Sequence, residues 1–207
     1  MLPIEIVISI VIVFFAIVLH ECAHGWVANK LGDPTAKLAG RLTLNPLRHI
    51  DPFGTIILPA ALMILRAIGF HTFVFGWAKP VPVDFARLRH PKRDIMLVGI
   101  AGPVVNFILA FLFSQLFKLE LPQLVYEIAA SAVYVNLLLA IFNLTPVPPL
   151  DGSRVVMGLL PNSLARAYSR LEPYGIFFVV VLLSFNYFDR VVEPLLVLCG
   201  NALGVRF

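Results

Sequence analysis

From Ile6 to Leu19 the chain is an almost unbroken run of Ile, Val, Phe, Ala and Leu in which Ser9 is the single polar residue. An amphipathic surface helix would show a polar face every three to four residues, and none exists here, so the run predicts a helix with apolar surroundings on all sides. It should extend from about Pro3, tolerated at a helix start, to about Lys30, with Gly32 and Asp33-Pro34 as the stop. That is enough to cross a hydrocarbon core of roughly 30 Å. A basic segment, 30–52, follows with Lys30, Lys37, Arg41 and Arg48. Phe53 to Gly69 is apolar but carries Pro59 and Arg66 and only just reaches spanning length, which suits either a full span or a re-entrant arm. Phe70 to Val83 alternates aromatic and β-branched residues with Gly76, Pro80 and Pro82, a pattern for extended chain. Extended backbone at membrane depth must be covered or hydrogen-bonded, and an added strand from a substrate would satisfy it.

A second basic cluster, Arg87, Arg89, Lys92 and Arg93, precedes a clear membrane helix from Ile95 to Phe117. Gly99, Gly102-Pro103 and Asn106 interrupt it. Small residues admit a neighbouring backbone and a buried Asn needs a partner, so a packing face with a proline kink accounts for them as well as a functional role does. Leu124 to Leu144 is the next span, with Asn136 and Asn143 inside it, and it runs into Thr145-Pro146-Val147-Pro148-Pro149-Leu150-Asp151-Gly152. Ser153 to Leu171 is mixed, Tyr174 to Tyr187 apolar, and Leu195 to Val205 weakly apolar. The expected fold is an all-α polytopic membrane protein of about five to six transmembrane helices with a small membrane-associated extended or β segment.

Composition agrees: 59% of the 207 residues are hydrophobic and only 14% charged, and mean hydropathy is +0.90. The net charge of +4 does not indicate nucleic acid, because the cations flank apolar stretches as they do in cytoplasmic membrane loops. Cys22 and Cys199 imply no disulfide framework. The first run lacks a basic leader region, and cleavage after it would cut into the residues discussed next, so it reads as a retained helix.

The first helix ends in His20-Glu21-Cys22-Ala23-His24. Histidines four apart lie on one face, about 6 Å apart along the axis, and both rings can reach one ion. The spacing is that of the H-E-x-x-H zinc motif, with Glu21 placed as a general base. A five-residue pattern also arises by chance, but three ionisable side chains at membrane depth cost several kcal/mol unless paired or metal-bound. A catalytic zinc takes three protein ligands. Asp151 follows a span and a proline break, where a carboxylate calls for a cation. His49, Asp51, His71 and His90 lie in basic segments suited to solvated or capping roles.

His20-Glu21-x-x-His24, Gly102-Pro103-Val104-Val105-Asn106 and Asn143 to Gly152 together resemble the site-2 protease family of intramembrane zinc metalloproteases. The stretches Gly40 to Pro46 and Phe75 to Val83 are similar to its compact prokaryotic members without a PDZ domain. The resemblance covers roughly residues 5–160, a catalytic core with a helical extension at about 161–207 in a single domain, 1–207. It implies that His20, His24 and Asp151 bind Zn2+, that Glu21 is the base, and that Asn106 and Asn143 line the substrate path or assist near the scissile peptide. The substrates implied are transmembrane proteins or peptides in a lipid bilayer, the location a multi-pass prokaryotic cell membrane. A metal transporter or non-catalytic scaffold is the competing class, but a transporter needs a polar relay across the bilayer, where these helices are apolar, and has no use for Glu21. Nine of the 16 Lys and Arg residues lie in 30–52 and 79–94, against Lys118 in the opposite loop, which turns the active site towards the cytoplasm.

Overall fold

The computed structural model describes residues 3–70 and 76–207, with side chains of the first helix from residue 8 onward. His71 and the Phe73–Phe75 part of the expected extended stretch lie outside the described residues. Helix α1 runs Pro3–Leu31 and ends as expected: Gly32 takes φ +116°, and the Asp33 amide bonds back to the Ala28 carbonyl at 2.9 Å. The short α2 (Thr35–Leu38), a wide turn at Pro52–Ile57 capped by Asp51, and α3 (Leu58–Ala67) follow. Then come α4 (Pro91–Ser114), α5 (Gln123–Asn143), α6 (Gly152–Leu159), α7 (Asn162–Ser169), α8 (Gly175–Ser184) and α9 (Glu193–Ala202).

Helix α4 is the hub and packs against α1, α5 and α6, while α1 also meets α5 and α9 lies on α5. Small residues line these interfaces: Ala16, Ala101, Ala110, Ala129, Ala132 and Ala140 are all buried. In a bilayer there is little hydrophobic gain between helices, so close backbone packing carries the association. Ile10, Phe15, Ile108 and Phe111 point outward, as lipid-facing residues do. Val192 and Leu196 from the C-terminal region join one core with Ala110, Val133 and Leu137.

Among the described residues four helical stretches are long and apolar enough to cross a membrane: Ile8–Leu31, Pro91–Lys118, Gln123–Asn143 and Asn162–Ser184. Pro52–Ala67 is shorter than the ~20 residues a span requires. The backbone of Arg89 donates to the Leu31 carbonyl at 3.0 Å, so the end of α1 and the start of α4 share one level. The chain is thus an all-α polytopic membrane protein.

No strand forms among the described residues. Within the stretch expected to be extended, residues 77–81 form a strap bonded to loops and side chains. Trp77 and Lys79 amides donate to the Gly54 and His49 carbonyls (3.1 and 2.9 Å), and Arg41 donates to the Lys79 carbonyl (2.8 Å). Pro80 and Pro82, which have no N–H to give, suit a strap better than a sheet.

Candidate metal centre

His20 and His24 lie one turn apart on the face of α1 that meets α4, and both are buried. Their rings sit edge to face with centroids 4.7 Å apart, and their Nε2 atoms are 3.0 Å apart. Asp151, delivered from the proline-rich turn after α5, puts Oδ2 3.0 Å from His20 Nε2 and 3.2 Å from His24 Nε2. Its side chain makes no cap bond to α6, so capping does not explain the residue. Among the described residues this is the cluster of His, Cys, Asp and Glu able to hold an ion.

His20 Nδ1 lies 2.5 Å from Asn106 Oδ1, and His24 Nδ1 lies 2.7 Å from the Val98 carbonyl. Each oxygen accepts only, so each Nδ1 carries the proton and each Nε2 presents a lone pair. With both rings neutral, two lone pairs and a carboxylate oxygen converge, a donor set that suits a cation. A tetrahedral zinc about 2.1 Å from each ligand would hold them about 3.4 Å apart, within a few tenths of what is seen.

Space for the ion comes from α4. A Cβ built on Gly102 would stand 2.5 Å from His20 Nε2 and 2.6 Å from its Cε1, and against His24 Nε2 as well. One turn earlier, a Cβ on Gly99 would lie 2.6 Å from Arg154 Cβ and 3.1 Å from the Asp151 carbonyl. The two glycines let α1 and α6 close on the same face of α4. The sequence left them open between a packing face and a functional role; the Gly-Pro motif was the available signal, and nothing in it told which helices approach.

Glu21 follows His20, and its Oε2 accepts the Val81 amide of the strap at 2.8 Å. Cys22, half-buried, turns away and donates to the Thr43 carbonyl at 3.2 Å. His49, expected in a wet segment, is instead fully buried and bonds the same carbonyl at 2.9 Å. Asp51 is the expected N-cap, accepting the Gly54 amide at 2.6 Å, and His90 is exposed at the start of α4.

Asn143 stands half-buried at the end of α5, its amide nitrogen on the Leu139 carbonyl at 2.9 Å. Asn106, expected beside it on the substrate path, is fully buried, and its polar atoms are spent on His20, the Ala16 carbonyl and Asn136. Asn106 thus stands beside His20 at the metal centre.

The profile described as peptidase family M50 matches residues 116–185. The chain is 40% identical over 190 residues to "Putative zinc metalloprotease YwhC" of Bacillus subtilis, covering 87% of this chain and 79% of that protein. It is 30% identical over 168 residues to "Putative zinc metalloprotease Rip2" of Mycolicibacterium smegmatis, covering 80% of this chain and 62% of that protein. No solved structure matches it.

Proposed function

The chain belongs to peptidase family M50, the zinc metalloproteases of site-2 protease type, and we propose that it cleaves peptide bonds within or beside transmembrane segments of membrane-protein substrates. The observation that carries this reading is the convergence of His20, His24 and Asp151 beside Glu21 at the end of a membrane-crossing helix.

In this reading His20, His24 and Asp151 hold the ion and Glu21 is the general base. Bound zinc supplies Lewis-acid polarisation of the scissile carbonyl and lowers the pKa of the attacking water. Glu21 keeps one oxygen on the Val81 amide. The other takes the water's proton and passes it to the departing amine nitrogen, a transfer worth about 10²–10⁴-fold. A helical substrate has its carbonyls locked in i→i−4 bonds and must unwind first, so substrates with helix-breaking residues near the cut are preferred. Asn143, with an amide oxygen to offer, lines the path of the unwound segment. The basic segments flanking α1 and α4 turn the site towards the cytoplasm, and residues 1–207 act as one domain.

The test is cleavage of a single-span peptide by the purified protein in detergent, with and without a zinc chelator, alongside Glu21→Gln. The variant should keep about one zinc per chain and lose cleavage, because it alters the base and not a ligand. Cleavage that persists in it overturns the assignment of Glu21.

A further inference from the structure

Asn136 on α5 is 2% exposed and hydrogen-bonds to Asn106 and the Ala132 carbonyl, so it ends a line of buried polar groups that begins at the metal centre. We propose that Asn136 is a positioning residue: acting through Asn106, it holds the His20 ring in the tautomer that turns a lone pair towards the ion. The inference rests on the reading of His20 as a ligand.

The direction of the line follows from chemistry. The two ends of an Asn amide have nearly the same shape, so each side chain can sit either way round. The Ala132 carbonyl, one turn back on α5, can only accept. The Asn136 group 2.8 Å from it is therefore the N–H₂, and Oδ1 faces α4. The Asn106 group 2.8 Å from that oxygen must in turn be its N–H₂, which leaves Oδ1 against His20 Nδ1. An acceptor facing Nδ1 keeps the proton there and leaves Nε2 bare.

Without Asn136, among the described residues only the Ala16 carbonyl, 3.4 Å from the Asn106 nitrogen, would oppose a flip of that amide. The flipped amide presents N–H₂ to Nδ1, and the ring proton moves to Nε2, where the ion would sit. His24 needs no such device, since a backbone carbonyl that cannot flip faces its Nδ1. Three helices, α1, α4 and α5, thus share one line of hydrogen bonds, and a packing change between α4 and α5 is felt at the ion.

The test is the zinc dissociation constant of the full chain in detergent, measured by competition with a chelator of known affinity. Asn136→Leu should bind zinc about 10–100-fold more weakly, the usual effect of losing a group that orients a ligand. Asn136→Asp, whose carboxylic acid keeps an acceptor for Asn106 and an O–H for the Ala132 carbonyl, should stay within a few fold of wild type. A purely packing role predicts lowered thermal stability in Asn136→Leu with unchanged zinc affinity, and that result overturns the proposal. So does an Asn136→Asp variant as weak as Asn136→Leu. A measurement independent of any variant's folding is the nitrogen-15 spectrum of labelled histidine in zinc-free wild type, taken at a pH where the His20 ring is neutral: its proton on Nδ1 supports the proposal and its proton on Nε2 refutes it. Wild-type zinc affinity in His20→Ala would overturn instead the reading of the metal centre on which the proposal rests.

Discussion

Replacing Gly102 with alanine sets two effects of opposite sign against each other. In an exposed helix the change should stabilise by about 1 kcal/mol, because alanine is the better helix former. At Gly102 the added methyl would lie 2.5 Å from His20 Nε2, where ordinary contact begins near 3.4 Å. About 0.9 Å must therefore be opened between α4 and α1, or a ring must turn off its rotamer. Overpacking of this kind costs about 1–3 kcal/mol, enough to cancel or exceed the helix gain. The cost to the ion is sharper. Zinc sits about 2.0–2.1 Å from a histidine nitrogen, so methyl and ion compete for nearly the same volume. If the 1–3 kcal/mol falls on the loaded state alone, zinc affinity drops about 5- to 150-fold, at 1.4 kcal/mol per decade. Metal analysis of the purified variant, competition with a calibrated chelator and a thermal melt read the three quantities. A Gly102→Ala protein that is more stable than wild type and carries about one zinc per chain at wild-type affinity would show that the methyl has room and that the argument is wrong.

The third ligand separates two aspartates: Asp151→Ala should purify zinc-poor and inactive, whereas Asp51→Ala should keep its zinc and lose about 1 kcal/mol, the worth of the N-cap it forms with Gly54. The reverse pattern in metal analysis would move the ligand to Asp51. Asp33 adds an acid-sensitive contribution. Burial pushes its carboxyl up, but bonds from the Thr35 hydroxyl and the Asp84 and Thr35 amides, with the Arg87 charge, outweigh burial and hold it below the ordinary value of 3.8. A depressed folded-state value gives stability that is present at neutral pH and lost as pH falls through the unfolded and then the folded value. Melting temperature should therefore fall more steeply between about pH 6 and pH 3 in wild type than in Asp33→Asn; equal slopes would contradict this. Cysteines placed near Lys37 and Arg89 should label from the same, cytoplasmic side, since the end of α1 meets the start of α4. Labelling from opposite sides would refute the topology.

Much of this protein is determined by sequence alone. An apolar run without a polar face can be buried only in lipid or protein, and 3.6 residues per turn put His20 and His24 on one side whatever surrounds them. Gly32 and Asp33-Pro34 had to end α1 for local reasons of backbone geometry, and Asp51 had to cap the turn that follows it. Asp151 could be singled out because a carboxylate after a proline break, at that depth, lacks a cheaper explanation. The structure decided what depends on which helices touch. Gly102 makes room for an ion only because α4 packs on α1, and Asn106 belongs to His20 because the same contact buries it. The strap reaches Glu21 through the Val81 amide, a bond between groups 60 positions apart that no local pattern encodes. Periodicity and propensity act over a few residues, whereas helix pairing depends on close packing between distant segments, and in a bilayer, where the hydrophobic effect does not choose partners, small residues in register make that choice.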